Sequence, residues 1–205
     1  ELVERIRREN ARVAAARQRD ILRPYFANGF IWPVTGRITG VYGSQRILNG
    51  EPRQPHYGID IAAPVGTPVR APADGVVTLA EPDLYYSGAT LIIDHGYRLS
   101  STLMHLQKIH VQVGQTVRQG EIVATVGASG RVTGAHLDWR MNWREERIDP
   151  ALLDGLIPLL AAPDAESVTA AINALAAGGE AATLRLRNSI QADSTPLSAK
   201  LAAIR

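Results

Sequence analysis

From residue 30 to about residue 150, short apolar runs alternate with glycine and proline, and this punctuation is the strongest constraint on the fold. Runs of four to eight β-branched and apolar residues bounded by turn residues are typical of strands. The predicted strands are 75–78, 89–94, 103–106, 121–126 and 136–138. Because the connections between them are short, we predict that the centre of the chain is a mainly β, antiparallel sheet.

An internal repeat supports this prediction. Segments 65–71 and 113–119 share the pattern Val-Gly-x-x-Val-Arg, and each runs into a turn followed by a β-branched strand. Two similar strand-turn-strand units usually pack on each other across one core. We therefore expect the two copies to face each other within a single β-rich domain.

The ends of the chain have a different character, and three regions are predicted. Residues 1–28 are predicted to form a charged helix that ends at about residue 22, followed by a linker. Residues 29–155 are predicted to form the β-rich domain, and residues 156–205 an alanine-rich helical tail. Within the domain, 42–55 is predicted to be an exposed loop. Within the tail, the spacing of apolar residues predicts a short helix that ends before Gly178.

Composition excludes several functional classes. The chain has no cysteine, so disulfides, thiolate metal sites and cysteine nucleophiles are excluded. A formal net charge of +2 suits an anionic polymer such as a cell wall but is too weak for a nucleic-acid-binding surface. No apolar run approaches the roughly 20 residues of a membrane helix. Because the chain begins at Glu1 and has no signal peptide, we expect a processed or truncated sequence.

Two distant segments carry the candidate chemistry. Alternation along strand 136–138 places His136 and Asp138 on one face of the sheet. About eighty residues earlier, His56 and Asp60 stand four residues apart. Histidine and carboxylate ligands from two segments are typical of an open metal site that leaves a position for water.

These motifs resemble the lysostaphin-type zinc endopeptidases of bacterial peptidoglycan, also called LytM domains, over residues 30–152. The matching segments are His56-Tyr57-Gly58-Ile59-Asp60, Asp94-His95-Gly96-Tyr97 leading to His105-Leu106, and Gly130 to Asp138. The resemblance implies a LytM-like, barrel-sandwich β core, flanked here by the N-terminal helix and the helical tail. It also implies that His56 and Asp60 are zinc ligands and that His105 and His136 are catalytic.

The sequence departs from the family pattern at Asp138, where the family has its third zinc ligand, a histidine. Carboxylate oxygen binds zinc at a distance similar to that of imidazole nitrogen, so His56, Asp60 and Asp138 remain an acceptable ligand set. Two carboxylates also favour harder ions such as Mn²⁺. Arg140 lies on the same strand face, and three arrangements stay open: Asp138 binds metal, pairs with Arg140, or does both while Arg140 orients it or binds substrate.

The resemblance implies a metal-dependent endopeptidase that cuts peptide cross-links of peptidoglycan in the periplasm or cell envelope. The alternative is a non-catalytic module that binds peptidoglycan or activates a cell-wall amidase, and division proteins are further candidate partners. No nucleic-acid partner is expected. A third reading, a biotin or lipoyl carrier, is disfavoured because neither Lys108 nor Lys200 lies in a turn between paired strands. His95, Trp139 and Trp143 are predicted to be structural, and His110 to lie at the surface.

Overall fold

The computed structural model describes residues 1–153, and the predicted tail helix lies outside the described residues. Residues Glu1–Pro150 form one compact unit. The elements are α1 (Leu2–Arg17), β1 (Arg37–Gly40), β2 (Arg46–Leu48), β3 (Glu51–Arg53), β4 (Ile59–Ala62), β5 (Pro68–Arg70), β6 (Gly75–Leu84), β7 (Gly88–Asp94), β8 (Leu99–Ile109), β9 (Thr116–Val117), β10 (Ile122–Val126), β11 (His136–Trp143), β12 (Glu146–Ile148) and a 3₁₀ turn (Pro150–Leu152).

The strands form one large sheet and one small hairpin. The order of the large sheet is β1-β4-β11-β8-β7-β6-β9, with β10 pairing β5 and β8, and β12 pairing β11. Every pair is antiparallel, as predicted. Strands β4, β11 and β8 are neighbours, and these three carry most of the predicted site residues.

Two predictions need correction at their boundaries. The N-terminal helix ends at Arg17 rather than near residue 22, and the chain from there to residue 36 has no regular element. The segment 42–55 is exposed as predicted, but it contains the two-stranded β2–β3 hairpin rather than only a loop. No helix among the described residues is long and apolar enough to cross a membrane.

The internal repeat is expressed as reciprocal strand pairing. The first strand of one copy, β5, pairs with β10 of the other copy, and β9 pairs with β6. Gly66 donates its N–H to Val126, and Gly114 donates to Val77, both at 2.8 Å. Both glycines have φ of +90°, which residues with a side chain rarely adopt. The two copies thus enclose one core, as predicted.

Helix α1 covers one face of the sheet. Its Val13 and Ala16 pack against Leu79, Leu84 and Ile92 of β6 and β7. A buried Glu9 fixes the helix, since its carboxylate accepts hydrogen bonds from Arg5 Nε at 2.6 Å and from the N–H of Tyr85 at 2.8 Å. The helix is therefore tied to the sheet by packing and by one buried charged group.

We expect Glu9→Ala to lower the free energy of unfolding by about 1–3 kcal/mol, because the N–H of Tyr85 loses its acceptor. The matched control is Glu4→Ala, whose exposed carboxylate pairs with the exposed Arg7, and which should stay within about 0.5 kcal/mol of wild type. Urea denaturation of the full chain measures both values. Equal stability of the two variants would contradict the anchoring role of Glu9.

Candidate metal centre

Strand register brings the two halves of the predicted site together. In the β4–β11 pair, Asp60 lies directly opposite Asp138, and His136 lies opposite Ala62. Residues directly opposite in antiparallel strands point to the same face, so the two carboxylates converge. Alternation along β11 adds His136 and Arg140 to this face.

The third group, His56, lies in the segment that enters β4. Backbone hydrogen bonds hold it in place: its N–H donates to Ser44, and its carbonyl accepts from Gly43. The buried ring places Nε2 at 3.1 Å from Asp60 Oδ1 and at 3.3 Å from Asp138 Oδ2. His56, Asp60 and Asp138 thus present three donor atoms that all lie within 4.8 Å of one another.

Close packing at Gly58 explains the glycine between His56 and Asp60. A Cβ at Gly58 would lie 2.5 Å from Asp138 Oδ1 and 2.7 Å from Arg140 Cγ. Contacts this short force atoms to move, so only glycine lets the Asp138 and Arg140 side chains pass beside β4.

His105 reaches the site through a β-bulge in β8. Between Leu103 and Leu106 the strand advances three residues, while its β7 partners advance two. His105 lies inside this bulge with φ of 63°, an uncommon value for a residue with a side chain. Its ring centroid is 4.9 Å from that of His136, so the two predicted catalytic histidines are adjacent.

Both histidines are held in one tautomer. His105 Nδ1 lies 3.0 Å from the carbonyl of Ser129, and His136 Nδ1 lies 2.9 Å from the carbonyl of Gly134. Because a carbonyl only accepts, each Nδ1 must carry the hydrogen, which leaves Nε2 of the neutral ring as a proton acceptor. Burial lowers the pKa of His105, which keeps this ring neutral. His136 Nε2 lies 3.7 Å from Asp60 Oδ1.

Arg140 forms a bidentate salt bridge with Asp138, so the ion pair that was one of the sequence-based alternatives is present. Its Nε lies 3.0 Å from Oδ1, and its Nη2 lies 2.6 Å from Oδ2. Burial alone would raise the pKa of Asp138, but His56 and Arg140 lower it well below the usual range. Asp138 is therefore a buried carboxylate that remains ionised.

The donor set suits a divalent ion. A tetrahedral ion with bonds of about 2.0–2.1 Å separates its ligand atoms by about 3.3 Å, close to the spacing around His56 Nε2. Within the described residues, Asp60 Oδ1 is buried and has no hydrogen-bond partner, although it lies 3.1 Å from His56 Nε2. Each carboxylate oxygen has two lone pairs, so Asp138 Oδ2 can accept from Arg140 and still bind metal.

Other predicted residues lie where structure rather than chemistry requires them. Trp139 and Trp143 are buried, and His110 is exposed. The buried His95 is satisfied by the carbonyl of Asp74 and the hydroxyl of Ser101, both at 2.7 Å, and burial lowers its pKa to about 4. The burial of His95, Trp139 and Trp143 and the exposure of His110 agree with these expectations.

The sequence reasoning missed two kinds of residue. Ser129 supports His105 through its carbonyl, and its hydroxyl joins Ala89 N–H to the carbonyl of Leu106. Its position in a glycine-rich run was the available signal. Arg17 of α1 reaches Thr102, which lies opposite Arg140, and no local pattern indicates this long-range contact.

Residues 54–150 match the model described as Peptidase family M23. The chain contains an M23 peptidase domain. All the predicted site residues of this M23 domain fall inside the match, namely His56, Asp60, His105, His136, Asp138 and Arg140.

Named relatives agree with this assignment. The peptidoglycan DD-endopeptidase ShyB of Vibrio cholerae is 35% identical over 122 residues, which are 60% of this chain and 25% of ShyB. A zinc-containing peptidase from Vibrio cholerae is 35% identical, with a TM-score of 0.54 over 58% of this chain and 37% of that chain. The catalytic domain of lysostaphin from Staphylococcus simulans is 28% identical, with a TM-score of 0.50 over 63% of this chain and 96% of that domain.

These similarities confirm the predicted lysostaphin-type resemblance and the antiparallel β fold. The chain spans only a fifth to a quarter of the length of the first curated relatives that it matches. The similarity therefore concerns the M23 domain and not the remaining parts of those proteins.

We predict that metal binding to the M23 domain releases about one proton at pH 7. Burial lowers the pKa of His56, but Asp138 and Asp60 outweigh that effect and raise it to about 9. The ring is thus protonated below pH 9 without metal, and it must be neutral to bind metal. Titration calorimetry in buffers of different ionisation enthalpy measures the released protons.

The sign of the pH dependence follows from the same group. Metal affinity should rise with pH up to about 9 and level off above it, where His56 is already neutral. His56→Ala should abolish the released proton together with tight binding. Proton release that is unchanged in His56→Ala would show that another group holds the metal.

Proposed function

We propose that this chain is a metal-dependent endopeptidase that hydrolyses peptide cross-links of bacterial peptidoglycan in the cell envelope. The observation that carries the proposal is the convergence of His56, Asp60 and Asp138 beside the adjacent rings of His105 and His136. The activity named for ShyB and the M23 match support the substrate class. Residues 29–155 are proposed to be the catalytic region, with 1–28 and 156–205 as flanking regions.

Zinc is the proposed ion. One imidazole and two carboxylates, with ligand atoms within 4.8 Å of one another, suit Zn²⁺, and a similar peptidase contains zinc. Two carboxylates would also accept Mn²⁺. Arg140 restores the preference for Zn²⁺, because its positive charge offsets the negative charge of Asp138. The ligand set is then left with a net charge close to that of one carboxylate.

The chain's own residues supply the proton transfers. A bound divalent ion would polarise the scissile carbonyl and activate water. His136 Nε2 accepts the proton of the attacking water, and the nearby Asp60 carboxylate stabilises the resulting imidazolium. His105 Nε2 orients the same water by accepting a hydrogen bond. The protonated His136 then donates to the leaving amine.

A second candidate function is a metal-free, non-catalytic module that binds peptidoglycan or activates a cell-wall amidase and acts with division proteins. The observation that favours it is the bidentate grip of Arg140 on Asp138, which already satisfies both carboxylate oxygens. In that case the ion pair replaces the metal rather than supporting it.

Metal content separates the two functions. We expect near-stoichiometric metal in the dialysed wild-type chain, a loss in Asp138→Ala, and retention in Asp138→His, because imidazole can replace the carboxylate ligand. Elemental analysis of the three proteins measures this. Metal that is absent from the wild-type protein but present in Asp138→His would contradict the endopeptidase proposal and favour the non-catalytic module.

Wall hydrolysis tests the proton-transfer roles. We expect His136→Ala to lower kcat by roughly 10²–10⁴-fold while metal content is kept, because the ring acts as a general base. The control His110→Ala changes an exposed histidine outside the site and should be silent. Release of new amino termini from purified peptidoglycan is the readout. Activity that survives a chelator, or that survives His136→Ala, would contradict the mechanism.

A further inference from the structure

Three arginines gather on the site face of the sheet, next to Asp138. Arg140 follows Asp138 on β11, and Arg147 of β12 lies opposite Asn142, which follows Arg140 on the same face. Arg17 approaches from the end of α1. We call Arg17, Arg140 and Arg147 the arginine cluster.

Hydrogen bonds fix the cluster around Arg140. Arg17 Nη2 donates to Thr102 Oγ1 at 3.1 Å, and Thr102 lies directly opposite Arg140 in the β8–β11 pair. Arg147 Nη1 donates to Asn142 Oδ1 at 3.0 Å. Thr102 is the cross-strand neighbour of Arg140, and Asn142 is its next neighbour along β11 on the same face. The arginine cluster therefore occupies one region of the sheet face.

The cluster has more positive charge than the described residues neutralise. Asp138 pairs with Arg140, whereas no carboxylate among residues 1–153 forms an ion pair with Arg17. Arg17 Nε is buried and has no hydrogen-bond partner in the described part of the chain. Burial and the charges of Arg147 and Arg140 lower the pKa of Arg17 to about 9, and burial and Arg140 lower that of Arg147. Such crowding of like charge is unfavourable unless an anion joins it.

Metal binding would increase this imbalance. A divalent ion offsets the two negative charges of Asp60 and Asp138, so less carboxylate charge remains to balance Arg140. The fork of a guanidinium matches the two oxygens of a carboxylate, and Arg140 Nη1 and Arg17 Nε are not used by hydrogen bonds within the described residues. The cluster therefore has donors left for a carboxylate from outside the protein.

We propose that the arginine cluster binds a free carboxylate of the peptide substrate, a proposal that rests on the function proposed above. Side chains two residues apart on one strand face lie about 6.8 Å from each other, which is also the span of about two extended peptide residues. The carboxylate recognised by the cluster thus belongs to a residue within about two positions of the scissile bond. The cluster selects anionic peptides and aligns them with the metal centre.

The test compares two probes that differ only in carboxylate charge. One is a soluble cross-linked muropeptide from purified peptidoglycan, and the other is the same muropeptide with its carboxylates converted to amides. Binding to the metal-loaded full chain is measured by calorimetry in a His136→Ala background, which prevents turnover while the three candidate ligands are kept. The variants are Arg17→Gln and Arg147→Gln, with Arg8→Gln as the control on an exposed part of α1.

We expect the parent protein to bind the carboxylate probe at least about tenfold more tightly than the amide, since a charged hydrogen bond contributes about a tenfold change or more. Each cluster variant should lose most of this preference, and Arg8→Gln should keep it. Arg17→Lys retains the charge and should recover part of the preference. Thermal unfolding shows whether each variant folds. If Arg17→Gln does not fold, the comparison of Arg147→Gln with the parent protein is the test.

Equal affinity for the two probes, no binding of either, or a preference that survives both glutamine variants would overturn the proposal. Cleavage assays with His136 restored keep the two hypotheses separate. A carboxylate preference without cleavage supports the subsite and contradicts the peptidase. Cleavage without a preference contradicts the subsite alone.

Discussion

The buried carboxylate of Asp138 is the group on which the site depends. A charge this deeply buried is stable only when other charged or hydrogen-bonding groups surround it, and Arg140 and His56 provide both. The same carboxylate stands opposite Asp60, so the register of β4 against β11 and the charge balance of the site are linked. A shift of that register by one residue would turn Asp60 to the other face of the sheet.

Arg140 connects the candidate metal centre to the rest of the sheet face. In the proposed metal centre, the charge of Arg140 offsets the charge of the Asp138 carboxylate, so this ligand would resemble a neutral histidine in its net charge. Arg17 and Arg147 form hydrogen bonds with Thr102 and Asn142, the neighbours of Arg140 on the same sheet face. In the proposed metal centre, Asp138 and the arginine two residues later therefore act as one structural feature and not two.

Much of the site could be predicted from local pattern. Alternation on a strand was enough to place His136, Asp138 and Arg140 on one face, and the spacing of His56 and Asp60 indicated the other half. The repeat of Gly66 and Gly114 indicated a two-part core, although the reciprocal pairing of its strands is a tertiary feature.

Other parts depend on contacts that no local pattern encodes. His105 faces the site because a bulge interrupts the alternation of β8, and regular alternation predicts neither the bulge nor its positive φ. Arg17 reaches the site face only because α1 packs on β6 and β7. The grip of Arg140 on Asp138 was one of three alternatives, and side-chain geometry was needed to show that the pair forms.

The proposed function requires one divalent ion held by His56, Asp60 and Asp138 while Arg140 keeps its contact with Asp138. The most direct measurement is a crystal structure of the zinc-loaded chain, with anomalous data collected on both sides of the zinc absorption edge. We predict one zinc peak about 2.0–2.2 Å from His56 Nε2 and from one oxygen of each aspartate. A zinc ion bound without Asp138, or an intact Asp138–Arg140 pair with no zinc at the site, would contradict the proposed metal centre.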